Sequence, residues 1–248
     1  MAHPSNPLIV IPARLAASRL PDKPLAMING APMIVRVWLG AMAADAGPVV
    51  VACGDRPIAD AVEAAGGRAV LTDPALATGT DRVFAAARRI DPDGRHPVVV
   101  NLQGDTPDLP AGALAAVLAP LADPAVDMAT VAAPIRDPAA FDDPNTVKAV
   151  AAIRPGESAG RALYFSRARV PSGDGPLYHH FGLYAWRRAA LERFVAFPEG
   201  VLEKRERLEQ LRALEGGLSV ALALIDRVPI EVNTPADLER ARRILPPL

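Results

Sequence analysis

The sequence predicts an α/β protein with a mainly parallel, Rossmann-like sheet flanked by helices, and a smaller mixed β lobe at roughly residues 125–215. Three features lead there. Runs of branched aliphatics at Leu8-Ile9-Val10-Ile11, Val49-Val50-Val51 and Val98-Val99-Val100 read as strands buried on both faces, as in a parallel sheet. Strand and helix patterns then alternate at the spacing of βαβ units, for which a right-handed crossover is expected. Beyond residue 125 the grammar changes to short strands separated by Pro- and Asp-rich segments. The whole chain, 1–248, is expected to be one domain of which 125–215 forms the lobe.

The first strand, Leu8–Ile11, is expected to end at Pro12. Arg14, Ser18, Arg19 and Lys23 follow, with Pro21 and Pro24 bracketing the lysine. This loop sits beyond the carboxyl end of an early strand, where open α/β sheets bind ligands. Two Arg and one Lys so close together repel one another unless an anion lies between them, and a polyphosphate suits. A solvated surface loop is the competing reading.

A helix from Met33 to Ala44, a strand ending at Cys53, a helix from Ile58 to Ala65 and a short strand Arg68–Leu71 come next. Ala77-Thr78-Gly79-Thr80-Asp81-Arg82 is a small polar turn before a helix predicted over Val83–Ile90. It either caps that helix or meets a nucleotide at the helix N-terminus. The strand Pro97–Leu102 runs into Gln103-Gly104-Asp105. An Asp after Gly at the end of a buried strand suits Mg²⁺ held jointly with phosphates, or else caps the next element. A helix over Ala111–Leu121 follows.

In the lobe, strands are predicted at Asp127–Ala133, Thr146–Val150, Arg161–Arg167 and His179–Trp186. Tyr164, Ser166, Arg167, Arg169, His179, His180 and Tyr184 cluster here, and alternation sets His180 and Tyr184 on one face. Planar donors and hydrogen-bonding side chains of this kind suit a hydroxylated acid, although a strand histidine is more often structural. Arg187–Ala196 reads as a helix, Val201–Arg212 as a charged helical run and Leu218–Leu224 as a strand. Val228–Val232 is read as a last strand, with Thr234 capping a final helix that has Pro235 at its first position.

Composition excludes several classes. Half of the 248 residues are apolar, 22% are charged and the net charge is −1, which argues against coating a nucleic acid. The single Cys53 excludes an internal disulfide framework and a cysteine zinc site. No run has the pattern of a signal peptide or the length of a membrane span, so a cytoplasmic protein without a membrane partner is expected. G-x-x-x-x-G-K-[ST] and G-x-G-x-x-G are absent, and no nucleophile elbow is present, disfavouring P-loop, dinucleotide-binding and serine-hydrolase chemistry.

Ile11-Pro12-Ala13-Arg14, Ser18-Arg19-Leu20-Pro21 and Lys23-Pro24-Leu25 resemble the opening signature of the 3-deoxy-D-manno-octulosonate (Kdo) cytidylyltransferases. Thr78–Arg82, Asn101–Asp105, Pro144–Lys148, Tyr164-Phe165-Ser166-Arg167 and Leu208-Glu209-Gln210-Leu211-Arg212 extend the resemblance over nearly the whole chain. It implies a GT-A-like nucleotidyltransferase domain, Mg²⁺ as cofactor, a homodimer formed through the lobe, and CTP plus Kdo giving CMP-Kdo and diphosphate for lipopolysaccharide synthesis. By the family pattern Arg14, Ser18, Arg19 and Lys23 hold the triphosphate, and Thr80, Arg82 and Gln103 surround the cytidine. Asp105 and Asn233 are the metal positions; Arg14, Lys23 and Asp105 carry the catalytic roles. Arg167, His180, Tyr184, Glu209 and Gln210 line the sugar-acid site.

Three positions depart from the pattern. Asn233 stands where the family has an Asp metal ligand, Thr106 where a Glu follows Gln-Gly-Asp, and His179 where some members have Arg. An Asn oxygen still ligates Mg²⁺ but brings no charge. Two alternatives share the site: a cytidylyltransferase for a related keto-sugar acid (8-amino-Kdo or a nonulosonate), and a nucleotide-binding homologue that has lost turnover.

Overall fold

The structure is a computed structural model that describes residues 6–16 and 20–248. In chain order its elements begin with β1 (Leu8–Ala13), β2 (Met27–Ile28), β3 (Ala31–Pro32), α1 (Met33–Ala43), β4 (Val49–Cys53) and α2 (Arg56–Ala64). Next come β5 (Ala69–Leu71), α3 (Gly79–Ile90), β6 (Val98–Leu102), α4 (Ala113–Leu118), β7 (Met128–Pro134), β8 (Lys148–Ala152) and β9 (Ala159–Ser166). The chain closes with β10 (Tyr178–Arg187), α5 (Arg188–Ala196), α6 (Val201–Glu206), α7 (Leu211–Glu215), β11 (Val220–Leu224) and α8 (Pro235–Ile244). Two compact units are present: Asn6–Ala111 with Pro229–Leu248, and Gly112–Val228.

In the first unit the strands run β5-β4-β1-β6, all neighbours parallel. Every residue of β1, β4 and β6 is buried, as expected of strands covered on both faces. β1 continues through Pro12 and does not stop there. Ile9 N donates to Pro48 O on the β4 side, so alternate residues face β6, where pairing runs only from Leu8 to Val10. The missing N–H of Pro12 therefore falls beyond the β6 ladder and breaks no bond. The final helix packs Leu238, Ala241 and Leu245 with Val232 against Ile28 and Met33. Val228–Val232, predicted as a strand, is irregular; Val232 N instead donates to Asp105 O.

In the second unit the order is β10-β7-β11-β9-β8. β7 and β11 are parallel, whereas β10–β7, β11–β9 and β8–β9 are antiparallel. The sheet is thus mixed, more so than a mainly parallel reading implies. The charged run predicted as one helix over Val201–Arg212 is two, broken where Arg207 adopts a left-handed φ of 57°. Glu206 is the cause, because its carboxylate accepts from Ser166 Oγ, Tyr164 OH and Arg167 N of the β9 end. No Gly or Pro marks this break.

Candidate functional site

A cleft of about 390 Å³ in the first unit is lined by Arg14, Lys23, Gly79, Arg82, Gln103, Asp105 and Asn233, among others. Its walls are the loop after β1, the start of α3, the end of β6 and the residues before α8. α3 begins earlier than predicted, at Gly79, because Thr78 is a complete cap. Thr78 Oγ1 accepts from Asp81 N, and Asp81 Oδ2 accepts from Thr78 N. The cap reading of this turn holds, and Gly79 and Arg82 line the cleft whereas Thr80 is buried and does not.

Gly104 lets Asp105 approach: a Cβ there would sit 2.6 Å from Pro12 O. Lys23 Nζ donates to Asp105 Oδ2 at 2.8 Å and to Asn233 Oδ1 at 3.2 Å. Lys23 itself follows Asp22, held at a left-handed φ of 52°. Next to Arg14, Leu15 N donates to Asp55 Oδ2 at 2.7 Å. Ser18 and Arg19 lie outside the described residues.

Arg82 is buried, and its Nη1 donates to Thr72 Oγ1 and Asp73 O. Its Nη2 has no partner among the described residues. Burial, then the neighbouring Arg14 charge, holds the Arg82 guanidinium below its usual range. Gly54 makes room for this crowding, since a Cβ would meet Arg82 Nη1 at 3.0 Å and Arg14 Cβ at 3.2 Å. A buried cation with an idle donor beside a second cation calls for an anion or a polar ring.

The donor set fits one hard cation. Asp105 and Asn233 oxygens already converge on a single ammonium, and phosphate oxygens are the usual remaining ligands of Mg²⁺. Among the described residues no three His, Cys, Asp or Glu gather as a self-sufficient metal cage. Glu231, which the sequence reading passed over, hydrogen-bonds the Asn233 side chain. Although part of Glu231 is exposed, the protein packed around it, then the Asp105 charge, push its carboxyl up to about 7. Thr106 is fully buried, and its Oγ1 has no partner among the described residues.

In the second unit His180, Tyr184 and Gln210 come together and are all buried. Thr130 organises them, and nothing in the sequence beyond its place in an apolar strand marks it. Its hydroxyl donates to Leu183 O at 2.9 Å and therefore accepts from His180 Nε2 at 3.0 Å. That fixes the ring with its proton on Nε2, so Nδ1 accepts from Gln210 Nε2 at 3.4 Å. Tyr184 OH donates to Gln210 Oε1 at 3.5 Å, and the His180 and Tyr184 rings lie 5.7 Å apart across a bulge in β10.

Burial, and next the charge of His179, push the His180 ring down to about 3, so it stays neutral. Glu209 precedes Gln210 in the same turn, its carbonyl accepting from Arg212 N. Arg167 is placed differently from these three. Its guanidinium donates to the carbonyls of Glu206, Pro144 and Arg207, fastening the β9 end to the break between α6 and α7.

A family model described as cytidylyltransferase matches residues 8–220. The 3-deoxy-manno-octulosonate cytidylyltransferase of Rhodospirillum centenum is 63% identical, over 99% of this chain and 96% of its own. That of Paramagnetospirillum magneticum is 58% identical over 97% and 98%. The chain belongs to the 3-deoxy-manno-octulosonate (Kdo) cytidylyltransferase family. A solved structure, CMP:2-keto-3-deoxy-manno-octonic acid synthetase complexed with CTP, superposes on this family member with a TM-score of 0.89 at 35% identity. That match covers 97% of this chain and 98% of the other. Among the described residues no helix is long and apolar enough to cross a membrane.

Proposed function

We propose that the protein is a CTP:Kdo cytidylyltransferase, converting CTP and Kdo to CMP-Kdo and diphosphate for lipopolysaccharide synthesis. One observation carries the reading: Lys23 gathers Asp105 and Asn233 oxygens in the cleft that buried Arg82 also lines. The anomeric oxygen of Kdo forms the new bond to the α-phosphorus as the bond to the diphosphate oxygen breaks. Arg14 and Lys23 bind and orient the triphosphate and offset the charge that develops on the leaving diphosphate, with Arg82 beside the cytidine. Asp105 and Asn233 would hold Mg²⁺, which when bound neutralises phosphate charge and acidifies the attacking hydroxyl. No protein nucleophile is needed. His180, Tyr184 and Gln210 offer neutral hydrogen-bonding groups to the hydroxylated acid, with Glu209 and Arg167 at its margin. A cytoplasmic homodimer completes the proposal, and light scattering reads the dimer.

Diphosphate release from CTP, Mg²⁺ and Kdo is the test, run beside 8-amino-Kdo and a nonulosonate. Release with Kdo at the highest kcat/KM upholds the proposal. A higher kcat/KM with another acid reassigns the substrate. Tight CTP binding without release from any acid makes the chain a nucleotide-binding homologue, the reading that Asn233 favours.

A further inference from the structure

Arg82 lines the cleft although only 2% of it is exposed. Among the described residues its guanidinium is held through Nη1 alone. That nitrogen donates to Thr72 Oγ1 and to Asp73 O at 3.1 Å, and Nη2 has no partner. The polarity of the Thr72 contact is settled, because Thr72 Oγ1 also donates to Cys53 O at 3.0 Å. A carbonyl oxygen only accepts and a guanidinium only donates, so the hydroxyl proton goes to Cys53 and the lone pairs face Arg82. Thr72 directly follows β5, and its backbone N–H donates to the same Cys53 carbonyl at 2.8 Å. The hydroxyl is thereby fastened to the carboxyl end of β4, the end of a parallel sheet at which ligands bind. A Cβ on Gly54 would stand 3.0 Å from Arg82 Nη1 and 3.2 Å from its Cζ, so the guanidinium lies against bare backbone there.

We infer that Thr72 is a positioning residue: it fixes the plane of the Arg82 guanidinium and so keeps Nη2 as a set donor for an acceptor oxygen of the bound nucleotide. The inference rests on the proposed use of CTP. A guanidinium is planar and rigid, so two contacts to Nη1 determine where Nη2 points. With the hydroxyl gone, Asp73 O is the remaining contact, and a single bond leaves the plane free to turn about it. A buried charged donor without a partner is costly to the folded protein, and an acceptor brought by a ligand relieves that cost. Asp73 offers only its backbone carbonyl, so Thr72 is the position at which a change of side chain reaches the guanidinium.

The test is a double-mutant cycle on the CTP dissociation constant, measured by calorimetry on the full chain without the acid substrate. Thr72→Val keeps the shape and removes the hydroxyl, and is expected to raise that constant about tenfold. Thr72→Ser restores the hydroxyl and is expected to stay within about twofold of wild type. In an Arg82→Met background Thr72→Val is expected to change CTP binding no further, because the guanidinium through which it acts is gone. A structural role alone would lower the melting temperature and leave the cycle without coupling. Should the valine variant fail to fold, Thr72→Ala reads the same cycle. Wild-type affinity in Thr72→Val, or in Thr72→Ala in its place, overturns the inference. So does a serine variant as weak as the valine one, or a loss of equal size with and without Arg82. Any of these in a chain that releases diphosphate from CTP and Kdo leaves the proposed function standing. Wild-type protein that binds no CTP removes the proposed function and this inference together.

Discussion

Lys23 Nζ lies 2.8 Å from Asp105 Oδ2, an ion pair between the loop after β1 and the end of β6. The two side chains are 17% and 25% exposed, so the pair is partly hydrated, and pairs of that kind contribute about 0–1 kcal/mol. Its worth is therefore in placing a carboxylate and a cation in one cleft. Asp105→Ala is expected to lower diphosphate release by at least about 10²-fold, the scale of losing one transition-state electrostatic group. Its melting curve should stay within a few degrees of wild type. A variant that retains its rate would remove Asp105 from the chemistry.

Asn233 contributes an amide oxygen to the same cation, 3.2 Å from Lys23 Nζ. Restoring a carboxylate strengthens the attraction for Mg²⁺ at a site of otherwise unchanged shape, because ligand charge sets divalent affinity. Asn233→Asp is expected to keep or raise activity and to reach half-maximal rate at several-fold lower Mg²⁺. Fluorescence of a bound lanthanide gives the same shift without turnover. A large loss of both would show that position 233 does not ligate metal in this chain.

Arg82 is the buried cation of the cleft, with Nη1 used by Thr72 and Asp73 and Nη2 idle. Arg82→Met fills the volume without the donors. Hydrogen bonds to charged groups contribute about 1.5–3 kcal/mol, so the dissociation constant for CTP should rise roughly 10- to 100-fold. Thermal stability should hold or rise, since the variant no longer buries a charge near Arg14. Unchanged CTP affinity would make Arg82 a structural residue.

The parallel unit was legible because its strands are apolar on both faces and its motifs sit at strand ends, where local pattern and position coincide. What escaped was tertiary in origin. Pro12 reads as a stop, yet its missing N–H falls past the β6 ladder. Arg207 carries no breaker signal; the two-helix break comes from Glu206 reaching Ser166 and Tyr164, forty-odd residues away in sequence. The site showed the same division. Lys23, Asp105 and Asn233 could be named from motif alone, and His180, Tyr184 and Gln210 do meet. Thr130 could not be, because its role lies in the direction of a hydrogen bond and not in residue spacing.

Arg212, the last residue of the Leu-Glu-Gln-Leu-Arg run, is structural. Its guanidinium meets Glu203 through Nε at 2.8 Å and Nη2 at 2.6 Å, both side chains 9% exposed, and covers the Phe194 ring. This fork holds α6 and α7 together beside Gln210. Arg212→Met leaves the Glu203 carboxylate buried without its cation, and urea denaturation should show a loss of about 3 kcal/mol. Glu203→Gln with Arg212→Met should recover part of it. A single variant as stable as wild type would show the pair to be dispensable.

His180 gives stability a pH dependence whose sign follows from its burial. In the folded chain its ring is pushed down to about 3 by burial and then by His179, against 6.5 for an ordinary histidine. Between those values the unfolded chain binds the proton and the folded chain does not. Stability from this group is therefore undiminished above 6.5 and falls as the pH drops towards 3, by up to about 1.4 kcal/mol per pH unit. His180→Gln removes the titration along with the bonds to Thr130 and Gln210. At pH 7.5 the variant should be the less stable protein. By pH 5 the difference should have narrowed by roughly 2 kcal/mol, because only wild type is penalised by protonation of its unfolded state. Chemical denaturation at the two pH values measures it. A difference that stays constant would mean that His180 takes up its proton as readily in the folded as in the unfolded chain, so that at pH 5 its Nδ1 could accept nothing from Gln210.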